Sequence, residues 1–322
     1  MRIVFMGTPE FAVASLDALI RNKYNIVGVV TTPDRPAGRG RKLSQSAVKI
    51  YALENGIHVL QPENLKSQEF VSELKSLQAD LQIVVAFRML PETVWNMPLL
   101  GTYNLHASLL PKYRGAAPIN WAIINGEKET GITTFKLKHE IDTGNILFFE
   151  KVDIAEHETA GELHDELMNK GAALILKTVK EIETSFLKHN ELKFSPQDNR
   201  LACHAPKINR EVCKINWNDS GVKIFNLIRG LSPSPGAFTE IVMPNGEKLI
   251  LKIVRANFVK CQHESTNGYV STDNKNFIAV YCRDGVLEIK ELQLQGKKRM
   301  HTEEFLRGFK ITFNRFDPDF FS

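Results

Sequence analysis

Short apolar runs alternate with stretches of helical periodicity through the N-terminal half of the chain. The apolar runs predict buried strands over 2–7, 25–32, 81–87 and 102–107. Apolar residues at helical spacing predict a helix soon after the first strand and further helices over 46–56, 117–126 and 160–188. Thr8 is expected to cap the first helix, with Pro9 in its first turn. The alternation predicts an α/β fold with an open, mostly parallel sheet.

The pattern changes in two later regions. Two strand-like runs, 131–137 and 145–154, flank "KHEIDTG", which predicts an antiparallel pair. Residues 189–206 are polar and irregular, and we expect a linker there. After it, one helix is predicted at 219–230, and strands are predicted at 237–243, 247–259, 267–272, 276–282 and 285–294. These five strands predict a small β-barrel. We therefore expect a catalytic domain at 1–188, the linker at 189–206 and a second domain at 207–322.

Composition narrows the class of protein. The chain has 322 residues, 43% apolar and 24% charged, which is typical of a globular protein with two domains. No run approaches 18 uncharged apolar residues, and the apolar start "MRIVFMG" is short, so we expect a cytoplasmic protein with no membrane segment. The four cysteines are spaced 10, 48 and 21 apart. That spacing predicts free, buried thiols, and neither cysteines nor histidines predict a metal site.

Charge is distributed unevenly along the chain. Residues 207–322 hold 18 Lys and Arg against 13 Asp and Glu, whereas residues 1–206 are nearly balanced. The C-terminal surplus of five positive charges is a modest indication of a polyanionic partner.

Candidate chemistry gathers where three predicted elements end. Ligands of open parallel sheets bind beyond the carboxyl ends of the strands, where we expect residues 86–91, 104–111 and 139–144 to meet. Asn104 and His106 share one face of a strand, since strand side chains alternate. With Asp142 they could stabilise the oxyanion that forms when an amine attacks a carbonyl. No base is evident for Ser108, so we expect direct transfer to the amine without a covalent intermediate.

Several motifs resemble one family. "NLHASLLPKYRGAAPI" and "HEIDTG" resemble the signatures of 10-formyltetrahydrofolate-dependent formyltransferases. "FMGTPEFAV", "TPDRPAGRGRKL", "APKI", "PSPGAFT" and "GKKRM" resemble those members of the family that act on methionyl-tRNA. The resemblance implies a Rossmann-like catalytic domain followed by an OB-like β-barrel. It implies transfer of a formyl group from 10-formyltetrahydrofolate, a co-substrate, to methionine esterified to initiator tRNA, with no metal.

The resemblance also implies roles for particular residues. Asn104, His106 and Asp142 would be the catalytic residues. The folate would lie along Ser108, Leu109, Leu110 and Pro111. Family members usually carry a small residue where this chain has Arg88, which either contacts the folate glutamate tail or points to solvent.

Two basic regions are the expected tRNA contacts. From composition alone, residues 31–44 form a solvated loop. The resemblance instead implies that this loop reaches the acceptor end through Arg39, together with Arg41 and Lys42. In the barrel domain the implied phosphate contacts are Lys207, Lys297, Lys298 and Arg299. A monomer is expected for a protein that wraps one tRNA.

Three alternatives stay open at this stage. The same catalytic residues would suit a formyltransferase with another acceptor, such as a sugar nucleotide or a purine precursor. A non-catalytic RNA-binding protein is a second possibility, against which the intact catalytic residues argue. The third is a hydrolase that releases formate, in which the basic loop would have no purpose.

Overall fold

The structure is a computed structural model that describes residues 1–37, 42–242, 246–313 and 315–316. The chain divides into two compact units. The N-terminal unit comprises Met1–Pro118, Glu129–Asp153 and His164–Ala205. The C-terminal unit comprises Ile119–Lys128, Ile154–Leu163 and the chain from Pro206 onward. Two short segments of the N-terminal half thus belong to the C-terminal unit, which the periodicity of the sequence does not indicate.

The elements up to residue 205 include eleven strands and six helices. The strands are β1 Arg2–Gly7, β2 Asn25–Val30, β3 Arg35–Ala37, β4 Lys42–Ser44, β5 Val59–Leu60, β6 Leu81–Val85, β7 Thr102–His106, β8 Arg114–Gly115, β9 Glu129–Lys136, β10 Ile146–Asp153 and β11 His204–Ala205. The helices are α1 Glu10–Arg21, α2 Ala47–Glu54, α3 Gln68–Ser76, α4 Glu92–Trp95, α5 Pro118–Ile124 and α6 Ala160–Leu187, and a 3₁₀ turn spans Asn199–Leu201.

Seven of these strands form the main sheet, in the order β10-β9-β7-β6-β1-β2-β5. The five strands from β7 to β5 run parallel, and β9 and β10 are antiparallel. Every residue of β6, and every residue of β1 after Arg2, is buried, as expected for central parallel strands, and Gln82 is the one polar residue among them. The predicted Rossmann-like sheet with an antiparallel pair is confirmed.

Helix capping follows the sequence at two helices and departs from it at a third. Ser46 and Ser67 accept hydrogen bonds from the backbone N–H groups of Lys49 and Phe70, and so cap α2 and α3. The prediction that Thr8 caps α1 is wrong. The N-cap is Pro9, so Thr8 lies one residue too early for its hydroxyl to reach the first turn of the helix.

The basic segment 31–44 is not simply a loop. β3 and β4 pair antiparallel, with Arg35 opposite Ser44 and Ala37 opposite Lys42. Residues 38–41 between them lie outside the described part of the chain. The expectation of an irregular loop is therefore corrected at both of its flanks, where backbone pairing overrides a polar composition that favours turns.

The C-terminal unit is built on an antiparallel sheet. Its elements after residue 205 are α7 Gly221–Gly230, β12 Ala237–Val242, β13 Lys248–Lys260, β14 Val270–Thr272, β15 Ile278–Cys282, β16 Gly285–Leu294, β17 Met300–His301 and α8 Thr302–Gly308. The strand order is β12-β13-β16-β15-β14, and β17 pairs with β16. This half-barrel confirms the predicted class, an α/β domain followed by an OB-like β-barrel.

Two further expectations concern membrane segments and cysteines. Among the described residues, no helix combines the length and apolarity needed to cross a bilayer. All four cysteines are free. Only Cys213 and Cys282 are buried, whereas Cys203 is half-buried and Cys261 is exposed, so the prediction of buried thiols is wrong for two of them. Cys261 is the first residue after the end of β13.

Candidate functional site

The candidate site lies at the carboxyl end of β7, within the N-terminal unit. Parallel pairing with β6 and antiparallel pairing with β9 fix β7 on both edges. Asn104 and His106 are two residues apart on this strand, so their side chains leave the same face of the sheet. Asn104 is half-buried and His106 is 6% exposed. The strand thus presents an amide and an imidazole from a rigid base.

The imidazole of His106 is held by a backbone carbonyl. Its Nε2 lies 2.8 Å from the carbonyl oxygen of Tyr113. A carbonyl can only accept, so Nε2 carries the hydrogen and donates it. Nδ1 is then the ring nitrogen that remains for chemistry, and it lies 3.8 Å from Oδ2 of Asp142. That distance is too long for a direct hydrogen bond but short enough for strong Coulomb attraction to a protonated ring.

Asp142 sits at the tip of the turn that joins β9 to β10. Its Oδ2 accepts a hydrogen bond of 3.0 Å from the backbone N–H of Gly115, and its side chain is 12% exposed. The residue has φ +54°, an uncommon conformation for a residue with a side chain. Gly144 ends the turn, where an added Cβ would overlap the carbonyl oxygen of Lys136. The carboxylate therefore depends on a strained turn that must be held from outside.

The amide of Asn104 makes no hydrogen bond within the described part of the chain. It is only half-buried, so its donors are available to a ligand. An amide donor beside an imidazole and a carboxylate is suited to stabilising an oxyanion.

The segment predicted to line the folate site is packed largely into the protein. Ser108 donates its hydroxyl hydrogen to the carbonyl oxygen of Lys112 at 2.6 Å, and its own carbonyl oxygen accepts from Thr133. Leu110 belongs to a small buried cluster, Pro111 is buried, and the side chain of Leu109 lies close to Gly131. A ligand along this segment would therefore meet backbone groups more than side chains.

Arg88 occupies a defined position after β6. Its guanidinium donates to the carbonyl oxygens of Pro62 at 2.7 Å and Glu63 at 3.2 Å, and it lies over the ring of Phe87. Burial and the nearby charge of Arg35 lower the pKa of Arg88. The sequence predicted that Arg88 contacts the folate glutamate tail or points to solvent, and neither prediction included these hydrogen bonds to backbone carbonyl groups of the protein. Its role toward folate stays a prediction.

The predicted tRNA residues divide into three groups. Arg39 and Arg41 lie outside the described residues, and of Lys42 only the backbone is described. Lys207, Lys297 and Lys298 are exposed. Arg299 is exposed too, but it pairs with Glu291, whose side chain is only 15% exposed and also attracts Arg255.

Sequence patterns missed the groups that support the site. Tyr113 and Gly115 act through backbone atoms, which carry no signal in a side-chain pattern. Gln197 also reaches the site, from a segment with no periodicity. Among the described residues, no group of three or more His, Cys, Asp or Glu side chains is arranged to hold a metal ion.

Comparison with known proteins places this chain in a family. A formyl transferase model matches residues 1–179, and a formyl transferase C-terminal domain model matches 207–310. The methionyl-tRNA formyltransferase of Bacteroides fragilis is 51% identical over 316 residues, covering 97% of this chain and 96% of that protein. That of Flavobacterium johnsoniae is 51% identical over 314 residues, covering 98% and 97%.

Solved structures share the fold at lower identity. The sugar 3N-formyl transferase WlaRD matches with a TM-score of 0.65 and 22% identity over 92% of this chain and 99% of that one. HypX from Aquifex aeolicus matches with a TM-score of 0.63 and 17% identity over 98% of this chain and 50% of that one. The site, the two matched domains and the near full-length relatives agree: the chain belongs to the formyl transferase family.

Proposed function

We propose that the chain transfers the formyl group of 10-formyltetrahydrofolate to the free amino group of methionyl-initiator tRNA. The observation that carries this proposal is the meeting of His106 with Asp142 beside Asn104, in a chain 51% identical to methionyl-tRNA formyltransferases over nearly its whole length. The product is N-formylmethionyl-tRNA, which serves in translation initiation.

Asn104 and His106 act on the formyl oxygen. The amine nitrogen attacks the formyl carbon, and the oxygen gains negative charge as the carbon becomes tetrahedral. The free amide donors of Asn104 and a protonated Nδ1 of His106 stabilise that charge. The Nε2–H bond to Tyr113 keeps the ring oriented with Nδ1 toward the site. A single donor of this kind lowers a barrier by about 3–4 kcal/mol.

Asp142 supports the charge on His106 and the movement of the proton. Its carboxylate, 3.8 Å from Nδ1, stabilises the imidazolium. Collapse of the tetrahedral intermediate breaks the bond between the formyl carbon and N10 of the folate, and the proton lost by the amine balances the charge on N10. A terminal α-amino group has a pKa of about 7.7, and the amine of an esterified amino acid titrates near that value or below, so it is partly neutral at physiological pH and a weak base or a water relay suffices.

The proposal also covers the domains, the binding residues, the oligomeric state and the location of the protein. Residues 1–188 form the catalytic domain, 189–206 the linker and 207–322 the tRNA-binding domain. Folate binds along the backbone of 108–111, beside the loop that carries Arg88. Arg39, Arg41 and Lys42 contact the acceptor end, and Lys207, Lys297, Lys298 and Arg299 contact phosphates. The protein acts as a monomer in the cytoplasm, where its tRNA substrate is found.

The test is formyl transfer from 10-formyltetrahydrofolate to methionyl-initiator tRNA. Parallel reactions offer free methionine, an amino-sugar nucleotide, or no acceptor. Product on the charged tRNA, with little on the other acceptors, is the expected result. Folate consumption without a formylated tRNA would overturn the acceptor and assign the same site to a small amine or to water. No folate consumption under any condition would overturn the reaction itself.

A further inference from the structure

The segment after α6 turns back toward the candidate site. Ser195 pairs with Ile146 at the start of β10 through two backbone hydrogen bonds of 2.8 and 2.9 Å. Ten residues later β11 pairs in parallel with β8, where Gly115 lies opposite Ala205. Between these two anchors the chain passes the Asp142 turn. A segment predicted to be only a linker is thus attached at both ends to the elements that carry the site.

Gln197 lies between those anchors and is fully engaged. Its Nε2 donates to the carbonyl oxygens of Asp142 and Gly144, both at 2.8 Å. Its Oε1 accepts from Arg114, at 3.1 Å from Nε and 2.6 Å from Nη2. Because a carbonyl only accepts and a guanidinium only donates, the orientation of the amide is determined by its partners.

The two halves of this amide act on the same carboxylate. The donor half fastens the carbonyl oxygen of Asp142, the residue with φ +54°, and that of Gly144 two residues later. The acceptor half fastens Arg114, whose neighbour Gly115 donates its N–H to the Asp142 carboxylate. One side chain therefore ties the backbone of Asp142 to the strand that holds its oxygen.

The turn has few other supports. Thr143 donates to the carbonyl oxygen of Glu140, and the N–H of Lys136 donates to the carbonyl oxygen of Asn145. Neither contact reaches Asp142. A non-glycine residue with positive φ costs on the order of 1 kcal/mol or more, so the turn relaxes unless contacts from outside oppose this. A relaxation of about 1 Å at a reacting group costs up to about 100-fold in rate.

We propose that Gln197 is a positioning residue for the formyl transfer, which holds the Asp142 carboxylate against His106 without touching substrate. This inference rests on the proposed function. It assigns a part in the reaction to the segment otherwise regarded as a connection between domains. The acceptor half of its amide binds Arg114, which also donates to Oδ1 of Asn199 at 2.8 Å.

The test compares Gln197→Ala, Gln197→Glu and Asp198→Ala. Gln197→Ala removes both halves of the contact, and we expect kcat to fall about 10- to 100-fold with little change in KM for methionyl-tRNA. Gln197→Glu keeps the acceptor for Arg114 but replaces both donors by a carboxylate oxygen facing two carbonyls. We expect it to lose at least as much activity.

Asp198→Ala is the control, because it loosens the same segment but leaves Gln197 intact. Asp198 pairs with Arg200 and caps the 3₁₀ turn. We expect its kcat within about twofold of the wild type.

A double-mutant cycle separates positioning from general stability. If Gln197 acts through Asp142, Gln197→Ala has little further effect in an Asp142→Asn background. Equal fold-losses in both backgrounds would overturn the inference, as would an unchanged kcat for Gln197→Ala in a protein with wild-type Tm. Equal losses for Gln197→Ala and Asp198→Ala would overturn it too. A wild-type protein that formylates no tRNA would instead reject the proposed function.

Discussion

The two units hold their functional groups in different ways. In the N-terminal unit, the imidazole and carboxylate of the site are fixed by backbone atoms from Tyr113 and Gly115, and by an amide 55 residues beyond Asp142. In the C-terminal unit, three of the four cations expected to bind tRNA, Lys297, Lys298 and Arg299, lie in the short connection between the antiparallel strands β16 and β17. The first arrangement depends on geometry and the second on the number of free charges. A single substitution should therefore cost far more in the first.

The largest effect is expected at His106. Replacing it by alanine removes the oxyanion donor, and we expect kcat to fall about 100- to 10,000-fold, measured as formyl transfer to methionyl-tRNA. His58→Ala is a matched control, because His58 is exposed and, among the residues that the structure describes, its side chain pairs only with Glu73 on the surface. We expect both variants to keep a Tm close to that of the wild type. Activity of His106→Ala near the wild-type level would remove the contrast between the units.

The charged surface of the C-terminal unit should respond more gently. Lys297 and Lys298 are exposed, so replacing both by alanine should raise KM for tRNA about tenfold and reduce its salt dependence by about two units of slope. Arg299→Ala should change KM less, because its charge is already paired with Glu291. Its main effect should be a loss of unfolding free energy of up to about 1 kcal/mol. Equal changes in KM at all three positions would contradict this ranking.

The sequence predicted the strands that carry the site but not the contacts that hold the site in place. Apolar runs predicted every strand from β1 to β7 that has a continuous buried pattern, and β7 set Asn104 and His106 on one face. The turn motif predicted Asp142. The supports of the site were missed because Tyr113 and Gly115 contribute only backbone atoms, and because Gln197 reaches Asp142 across 55 residues with no pattern between them.

Some local signals were overridden by neighbours. The β3–β4 pair forms within a segment whose prolines and glycines favour a loop, since cross-strand hydrogen bonds stabilise it. Thr8 was expected at the start of α1, but the helix begins after Pro9. Helix ends are defined only to within one or two residues, so local signals predict the helix better than its first residue. The family motifs predicted the function better than they predicted the contacts that hold the site together.

A smaller effect should follow from the start of α6, which lies in a segment of the C-terminal unit. Thr159 and Glu162 form a capping box: the backbone N–H of Thr159 donates to Oε2 of Glu162 at 2.9 Å, and the N–H of Glu162 donates to Oγ1 of Thr159. Thr159→Ala should lower the unfolding free energy by about 1 kcal/mol, measured by urea denaturation. Formyl transfer at 25 °C should not change. A fall in kcat would mean that formyl transfer also depends on the geometry of a contact in the C-terminal unit.

The smallest effect is expected beside the catalytic residues, at Tyr103, and it has the opposite sign. This side chain is fully buried between its neighbours in β7, stacks on Phe194, and has no hydrogen-bond partner for its hydroxyl among the described residues. An unsatisfied buried hydroxyl is destabilising, so Tyr103→Phe should raise the unfolding free energy at pH 7 by about 1 kcal/mol. Formyl transfer should stay within about twofold of the wild type.

The pH dependence of that gain provides a sharper test. Burial raises the pKa of Tyr103 to about 12, whereas an unfolded tyrosine has a pKa of about 10. The raised value means that the unfolded state loses this proton first. The contribution of the neutral Tyr103 phenol to the unfolding free energy of the wild type is therefore fully present below pH 10, and it is lost as the pH rises from 10 to about 12. Because phenylalanine does not titrate, the advantage of Tyr103→Phe over the wild type should widen across that window. Tyr51, whose pKa burial also raises to about 12, is present in both proteins, so its effect cancels in the comparison.

A difference in unfolding free energy between the two proteins that stays constant from pH 7 to 11.5 would contradict this prediction. It would mean that the hydroxyl of Tyr103 is solvated or hydrogen-bonded in solution. In that case β7, the strand that carries Asn104 and His106, would be less tightly packed than a site held by fixed geometry requires.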